Sequence, residues 1–483
     1  MMSMSEEQAT PPSGPIGLAE ANLPVDGGLA GLGLIMSLTG ALFMVIALGM
    51  GAIMMFALVF APGADTVILI ALLVIAASTL RSWAHRAAGQ RLLYDGPGTP
   101  RSAMQRYFRC AALQTVVILL ALGSQDVPVV LLGVLLVVLA GWPVALAIAL
   151  AAGRYSALLD QQTIPQAEDK GFEGAAILMV VLGLTGLLFG AVMSVSVLEE
   201  VPPLISLAPF VGLSLIAIMI MLIVRSSFHV RAGLEGVREA HRDRAVEAVA
   251  RYSNAAVLSG AVICGLPFLM TIVESEGRMD GPAIVLTLIA MSFLMWALTT
   301  WPIIVKRFFV ERQFADLLVP GEAPHARAPD RGLTTLGWFL FGQAVLGLAI
   351  ALPALLYPDH YQRARDPFSA MITLFQAGGR GQWWSIGVAA LQLVASWQLI
   401  RMRPNHKRIV TLWSVVAALV AVYIHYPMLQ ALVRGRGHGA VDADALLGNL
   451  SFMTVAIALI APIATLILVH RKQHGLPTAV LQR

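Results

Sequence analysis

The chain has 483 residues, of which 58% are hydrophobic and 12% charged, and its mean hydropathy is +0.78. A soluble protein carries roughly 25% charged residues, so this composition excludes an ordinary soluble domain, a disordered chain and a nucleic-acid binder. The net charge of +4 and the pI near 9.2 fit a membrane protein that collects Lys and Arg on one side.

Residues 1–29 are polar, Pro-containing and mildly acidic (Glu6, Glu7, Glu20, Asp26). They lack a basic stretch ahead of a short apolar core, so they read as a flexible cytoplasmic tail and not as a cleavable signal peptide. A helix needs about 20 apolar residues to cross the hydrocarbon core. Twelve stretches meet that need, near 33–60, 65–82, 108–124, 127–152, 173–197, 203–225, 252–273, 281–305, 333–357, 382–401, 409–430 and 447–469. They are continuous and rich in Leu, Val and Ala, whereas a membrane barrel needs alternating ten-residue segments. The expected fold class is therefore all-α, a polytopic membrane protein of about twelve transmembrane helices.

Twelve spans put both termini on one side. Loops on that side hold 26 of the 32 Lys and Arg residues. The positive-inside rule then makes the termini cytoplasmic, and a cytoplasmic (inner) membrane suits such a strong bias.

Internal echoes divide the chain. Arg81-Ser82-Trp83-Ala84-His85 ends the second span, and Arg225-Ser226-Ser227-Phe228-His229 ends the sixth. Tyr107 and Tyr252 each open the following span. Trp142-Pro143 and Trp301-Pro302 lie toward the inner ends of spans four and eight, each followed by a Leu-Leu pair, Leu158-Leu159 and Leu317-Leu318. In the last span Ala461-Pro462 stands in the Trp-Pro place. The reading is three tandem parallel units of four helices, 30–160, 173–320 and 333–476.

Every Asp and Glu can be placed outside the spans, with Asp65, Asp126, Glu199 and Glu274 at span edges. Ionisable groups within a span mark proton relays and ion sites because they cost several kcal/mol there, so a carrier built on a buried carboxylate is disfavoured. Gln114, Gln343 and Gln392 lie within spans and are the candidates to line a solute path, against the plain alternative of interhelical hydrogen bonds. Pro143, Pro302 and Pro462 are candidate kinks, since proline removes a helical hydrogen bond. Arg81, His85, Arg225 and His229 are candidates for lipid-headgroup or interface contact. Ser and His in Arg-Ser-x-x-His lack a recurring acid, so catalysis is not expected. Cys110 and Cys264 lie in apolar runs and read as small buried hydrophobes. His425 has no second His, Cys or carboxylate at ligand spacing. No cofactor and no metal is expected.

Two surfaces invite partners besides membrane lipids. Val230–Tyr252 mixes apolar positions with Arg and Glu and reads as a charged amphipathic helix on the cytoplasmic side. Tyr357–Gln382, on the outer side, is far longer than its counterparts, as is Ala431–Asp444. Trp383-Trp384 is placed at headgroup level, as aromatic belts are. Two functions follow: a transport-type protein moving a small solute or lipid without a buried carboxylate relay, or a non-catalytic scaffold or accessory subunit of a membrane complex.

Overall fold

The computed structural model describes residues 27–60, 65–94, 96–123, 129–151, 154–161, 171–207, 209–237, 242–274, 281–311, 314, 332–356, 382–435 and 459–470. Among these residues every regular element is helical. The helices are α1 (Gly27–Phe60), α2 (Asp65–Leu93), α3 (Pro100–Gly123), α4 (Val129–Ala151) and the short α5 (Arg154–Leu159). Then come α6 (Phe172–Leu207), α7 (Pro209–Val237), α8 (Arg242–Glu274) and α9 (Gly281–Lys306), which runs into a π-helical turn at Arg307–Glu311. The last are α10 (Leu333–Leu356), α11 (Gln382–Ile400), α12 (His406–Gly435) and α13 (Leu459–His470).

Eight helices are long and apolar enough to cross a membrane, namely α1, α2, α3, α7, α8, α9, α11 and α12. Four shorter apolar stretches accompany them, within α4, α6 and α10 and along α13. Their outward faces carry large apolar side chains: Phe43, Val59, Val67, Leu120, Ile148, Leu213, Leu419 and Ile467 are all exposed. In water such a surface is a liability; in lipid it is the solvent-facing side. Trp383, Trp384, Tyr423 and Tyr426 are exposed near one end of α11 and α12, and Trp384 meets Tyr423 edge-on at 6.2 Å. Amphipathic rings in that position suit a headgroup layer.

Two expectations change. Val230–Tyr252 is not one surface helix: α7 continues to Val237 and α8 begins at Arg242. The two helix ends lie side by side, with Ala232, Ala245, Val249 and Tyr252 buried in one apolar cluster. Alanines every third or fourth residue let the backbones approach, so the apolar face is already covered. Glu199 does not lie in a loop, because α6 runs on to Leu207. Hydropathy ends a span at a charge, whereas glutamate is a good helix former and lets the helix continue. Asp65 opens α2 and Glu274 closes α8, while Asp126, Leu317-Leu318, residues 357–381 and 436–444 lie outside the described residues.

Local chemistry sets several ends. Thr99 caps α3, its hydroxyl accepting from the Ser102 amide at 3.3 Å, with Pro100 at the first helical position where no amide hydrogen is needed. Gly171 and Gly332 take left-handed φ values of 84° and 77° just before α6 and α10, a conformation that costs a side-chain-bearing residue about 1–2 kcal/mol. The end of α11 closes by two reversed bonds, Met402 N–H to the Leu399 carbonyl at 3.1 Å and Arg403 N–H to the Gln398 carbonyl at 3.2 Å. Met402 holds φ at 45° there, the site usually given to glycine.

The most extensive helix pairs are α1 with α2, α6 with α7 and α10 with α11. The second helix of each pair then packs on the next, α2 on α3, α7 on α8 and α11 on α12. Glycine closes these seams. A Cβ at Gly89 of α2 would lie 2.5 Å from the Ser37 nitrogen of α1, and one at Gly233 of α7 would lie 2.7 Å from the Val180 nitrogen of α6. Across the bundle α1 meets α9 and α4 meets α10. Ile177 and Val181 of α6 share an apolar cluster with Ala464, Leu468 and Val469 of α13. The helices α1, α6 and α10 also touch one another, and a Cβ at Gly31 or at Gly174 would collide with Thr335 Oγ1. The core thus lies where α1, α6 and α10 converge.

Candidate functional site

The most distinctive polar groups inside the bundle are two Arg-His-Tyr clusters. On α2, Arg81 and His85 are one turn apart and so share a face. That face is turned inward, since His85 is 9% exposed. Arg81 Nη1 donates to Gln114 Oε1 of α3 at 2.7 Å, and Gln114 Nε2 donates to Ser78 Oγ at 2.7 Å. The His85 ring meets the Tyr107 ring edge-on, with centroids 4.7 Å apart. The Arg81 guanidinium lies close to the Tyr107 hydroxyl.

On α7 the same residue types stand in the same order. His229 stacks flat on Tyr252 of α8 at 4.3 Å, and the Arg225 guanidinium lies close to the Tyr252 hydroxyl. Arg225 Nη2 donates to the Leu298 carbonyl of α9 at 2.6 Å. Trp301 Nε1 donates to His229 Nε2 at 3.0 Å.

The two histidines differ in tautomer. Indole N–H is a donor only, so His229 Nε2 accepts and the ring proton sits on Nδ1. In the other cluster the Thr39 hydroxyl, 3.1 Å from His85 Nε2, already donates to the Ile35 carbonyl at 2.7 Å. His85 Nε2 must then be the donor, so its ring proton sits on Nε2, whereas that of His229 sits on Nδ1. The difference traces to Trp142. It packs edge-on against Phe341 of α10 at 6.2 Å, whereas Trp301 turns toward its histidine.

These clusters join neighbouring helices. No carboxylate touches either histidine in the contacts above. Among the described residues no group of three or more His, Cys, Asp or Glu gathers as metal ligands would. Cys110 is half-buried and Cys264 buried, both as free thiols.

The glutamines separate into two places. Gln114 is buried and engaged by Arg81 and Ser78 in the α2–α3 seam. Gln343 and Gln392 meet at the α10–α11 seam, where Gln392 Nε2 donates to the Leu340 carbonyl at 3.0 Å and to Gln343 Oε1 at 3.3 Å. Gln343 is exposed. The three side chains therefore sit in two seams, Gln114 apart from the other two. Pro143 lies inside α4 and Pro302 inside α9, and Pro462 falls on α13; all three are buried. Pro267, inside α8, adds an intrahelical proline that the Trp-Pro echo does not reach. The π-helical turn begins five residues after Pro302.

One signal passed over in the sequence leads straight to the centre of the bundle. Gly28-Leu29, Gly171-Phe172 and Gly332-Leu333 open α1, α6 and α10, and Gly31, Gly174 and Thr335 follow at the same spacing. Leu29, Phe172 and Leu333 are all buried. Comparison with protein-family models, with curated proteins and with solved structures gives no match to this chain.

Proposed function

We propose that this chain is a non-catalytic scaffold or accessory subunit of a membrane complex, built from three tandem four-helix units, 30–160, 173–320 and 333–476. The observation that carries the functional reading is the closed centre. Where α1, α6 and α10 converge, Gly31, Gly174 and Thr335 are packed so tightly that one added methyl at either glycine would collide. A small pocket among α1, α6 and α9 is lined by apolar side chains, including Leu34, Leu38, Met179, Trp301, Phe308 and Phe309. A solute path needs polar groups facing a wetted space. Here Arg81, Gln114, Arg225, Trp301 and Gln392 bond from helix to helix, and the outer surface carries exposed apolar side chains that suit lateral packing.

The three-unit reading is supported by matched contacts. Positions 81, 85, 86 and 89 of α2 correspond to 225, 229, 230 and 233 of α7 at one constant offset. A Cβ at Gly40 would meet the Arg86 nitrogen at 2.6 Å, and one at Gly183 would meet the Val230 nitrogen at 2.7 Å. Each unit's first helix packs on the fourth helix of another, α1 on α9, α10 on α4 and α6 beside α13. That pattern closes a ring. The termini are taken as cytoplasmic and the membrane as the inner membrane, on the distribution of Lys and Arg. The outer segment Tyr357–Gln382 is the surface proposed for a protein partner.

A transport-type function remains the second reading, on one observation: Gln343 and Gln392 pair beside an exposed position and are free to meet a solute there. Two measurements separate the readings. Native extraction followed by mass spectrometry is expected to give a stoichiometric second chain. Purified protein in proteoliposomes is expected to give no saturable uptake. A lone chain with saturable uptake that Gln343→Leu or Gln392→Leu abolishes would overturn the scaffold reading.

A further inference from the structure

The cytoplasm-facing ends of α7 and α8 enclose a pocket that neither function uses. It has a volume of about 190 Å³ and is lined by Arg231, Glu235, Arg244, Glu247, Ala248 and Arg251. Arg231 and Glu235 are one turn apart on α7. Arg244, Glu247, Ala248 and Arg251 fall on one face of α8 at helical spacing. The floor exists because Ala232 and Ala245 bring the two backbones together, while the long side chains above them splay outward.

The charges are unequal in number and in commitment. Three guanidiniums face two carboxylates. Glu247 is held by Arg251 one turn away, and Glu235 is buried at the wall. Among the described residues Arg231 and Arg244 make no hydrogen bond or ion pair, and both are exposed at the rim. The pocket therefore presents two uncommitted guanidiniums, a geometry suited to oxyanions.

Its depth selects the oxyanion. Arg231 lies six residues beyond Arg225 on α7, and Arg251 immediately precedes the buried Tyr252 on α8. At 1.5 Å per residue Arg231 stands about 9 Å further along α7 than Arg225, a depth that suits a headgroup layer. Basic pockets between helices at that level hold lipid phosphates.

We propose that Arg231 and Arg244, beside the Arg251–Glu247 pair, form a binding site for the phosphate of an anionic phospholipid. The inference rests on the membrane reading of α7 and α8, and incorporation of the protein into nanodiscs checks that reading separately. Protein in nanodiscs of phosphatidylcholine with phosphatidylglycerol, released for native mass spectrometry, is expected to retain phosphatidylglycerol. The double variant Arg231→Gln/Arg244→Gln is expected to bind it about 30-fold more weakly, from a contribution near 1 kcal/mol for each basic residue at a membrane surface. The pair Arg231→Lys/Arg244→Lys keeps the charge and is expected to keep most of the binding. Arg106→Gln/Arg109→Gln removes two exposed arginines from α3 and is expected to change nothing.

The source of the phosphate is tested by titrating inorganic phosphate into protein in phosphatidylcholine nanodiscs. Binding of inorganic phosphate that the Gln pair abolishes, with no retained lipid, would keep the oxyanion site and overturn the lipid as its ligand. Retention equal in the Gln pair, the α3 control pair and the unmodified protein would overturn the site. Thermal unfolding of each variant confirms that exposed substitutions leave the fold intact.

Discussion

Replacing Gly89 with alanine adds one methyl group to the closely packed seam between α1 and α2. Its Cβ would lie 2.5 Å from the Ser37 nitrogen and 2.7 Å from the Gly33 carbonyl oxygen, and ordinary contact begins near 3.4 Å. Both obstacles are backbone, so no side chain can rotate away; α1 and α2 must separate by about 0.9 Å, the difference between 3.4 and 2.5. A gap of 0.5–1 Å forfeits roughly a quarter to a half of each dispersion contact. The contacts at risk join Leu29, Leu32 and Met36 to Ala84, Ala88 and Leu92. Partial relaxation leaves an expected cost of about 2–3 kcal/mol. Gly265→Ala is the control: Gly265 lies inside α8 and its Cβ would meet nothing within 4 Å. Both substitutions gain about 1 kcal/mol of helix propensity, so their difference isolates the clash. Unfolding in mixed micelles by added SDS, followed by Trp fluorescence, measures it. A difference under about 0.5 kcal/mol, within the usual scatter of independent substitutions, would refute the seam geometry.

Gly233→Ala is expected to cost as much as Gly89→Ala in the same assay, because its Cβ meets the Val180 nitrogen at 2.7 Å; a neutral result would break the correspondence between α2 and α7. Gln114→Leu takes the acceptor from Arg81 Nη1 and is expected to cost about 1–3 kcal/mol, while a cycle with Arg81→Leu is expected to give a coupling of about 0.6–1.7 kcal/mol. Trp301→Phe removes the donor to His229 Nε2, at about 1 kcal/mol, and nitrogen NMR is expected to show the ring proton no longer confined to Nδ1. Arg101→Gln breaks the bonds to the Ser156 carbonyl at 2.8 Å and to Asp160 at 2.9 Å. Being exposed, this contact is expected to contribute at most about 1 kcal/mol and less as salt rises.

The helical class and most helix positions were legible because lipid-facing segments are apolar on every side, so no periodicity is needed to find them. α11 at 382–400 falls within a residue of the expected 382–401. Helix ends were less legible. α2 runs eleven residues past its expected end at Ser82, to Leu93, since hydropathy reports the edge of the oil and not the last hydrogen bond of the helix. The same confusion hid the continuation of α6 past Glu199. Arg-Ser-x-x-His was noticed but read outward, because arginine at a span end satisfies the positive-inside rule by itself. The better clue was the tyrosine that follows each motif into the next helix. A histidine one turn from the arginine, and a tyrosine opening the adjacent span, are what a buried cluster between neighbouring helices requires. The central contact of Gly31, Gly174 and Thr335 was not found, because a single small residue at each helix start carries little signal until the three starts are aligned.

The pairing of α1 with α9 has a consequence for how the chain is made. Between Phe60 and Gly281 stand 220 residues, which a ribosome adds in roughly 10–45 s at about 5–20 residues per second. Of the helices that pack on α1, only α2 and then α6 precede α9 in the chain, so the side of α1 that α9 covers stays open for that time. Among the described helices α1 is thus one of the last to be fully enclosed. A chain stopped after α5 would present to the cell's quality control the same apolar face that the finished protein keeps hidden.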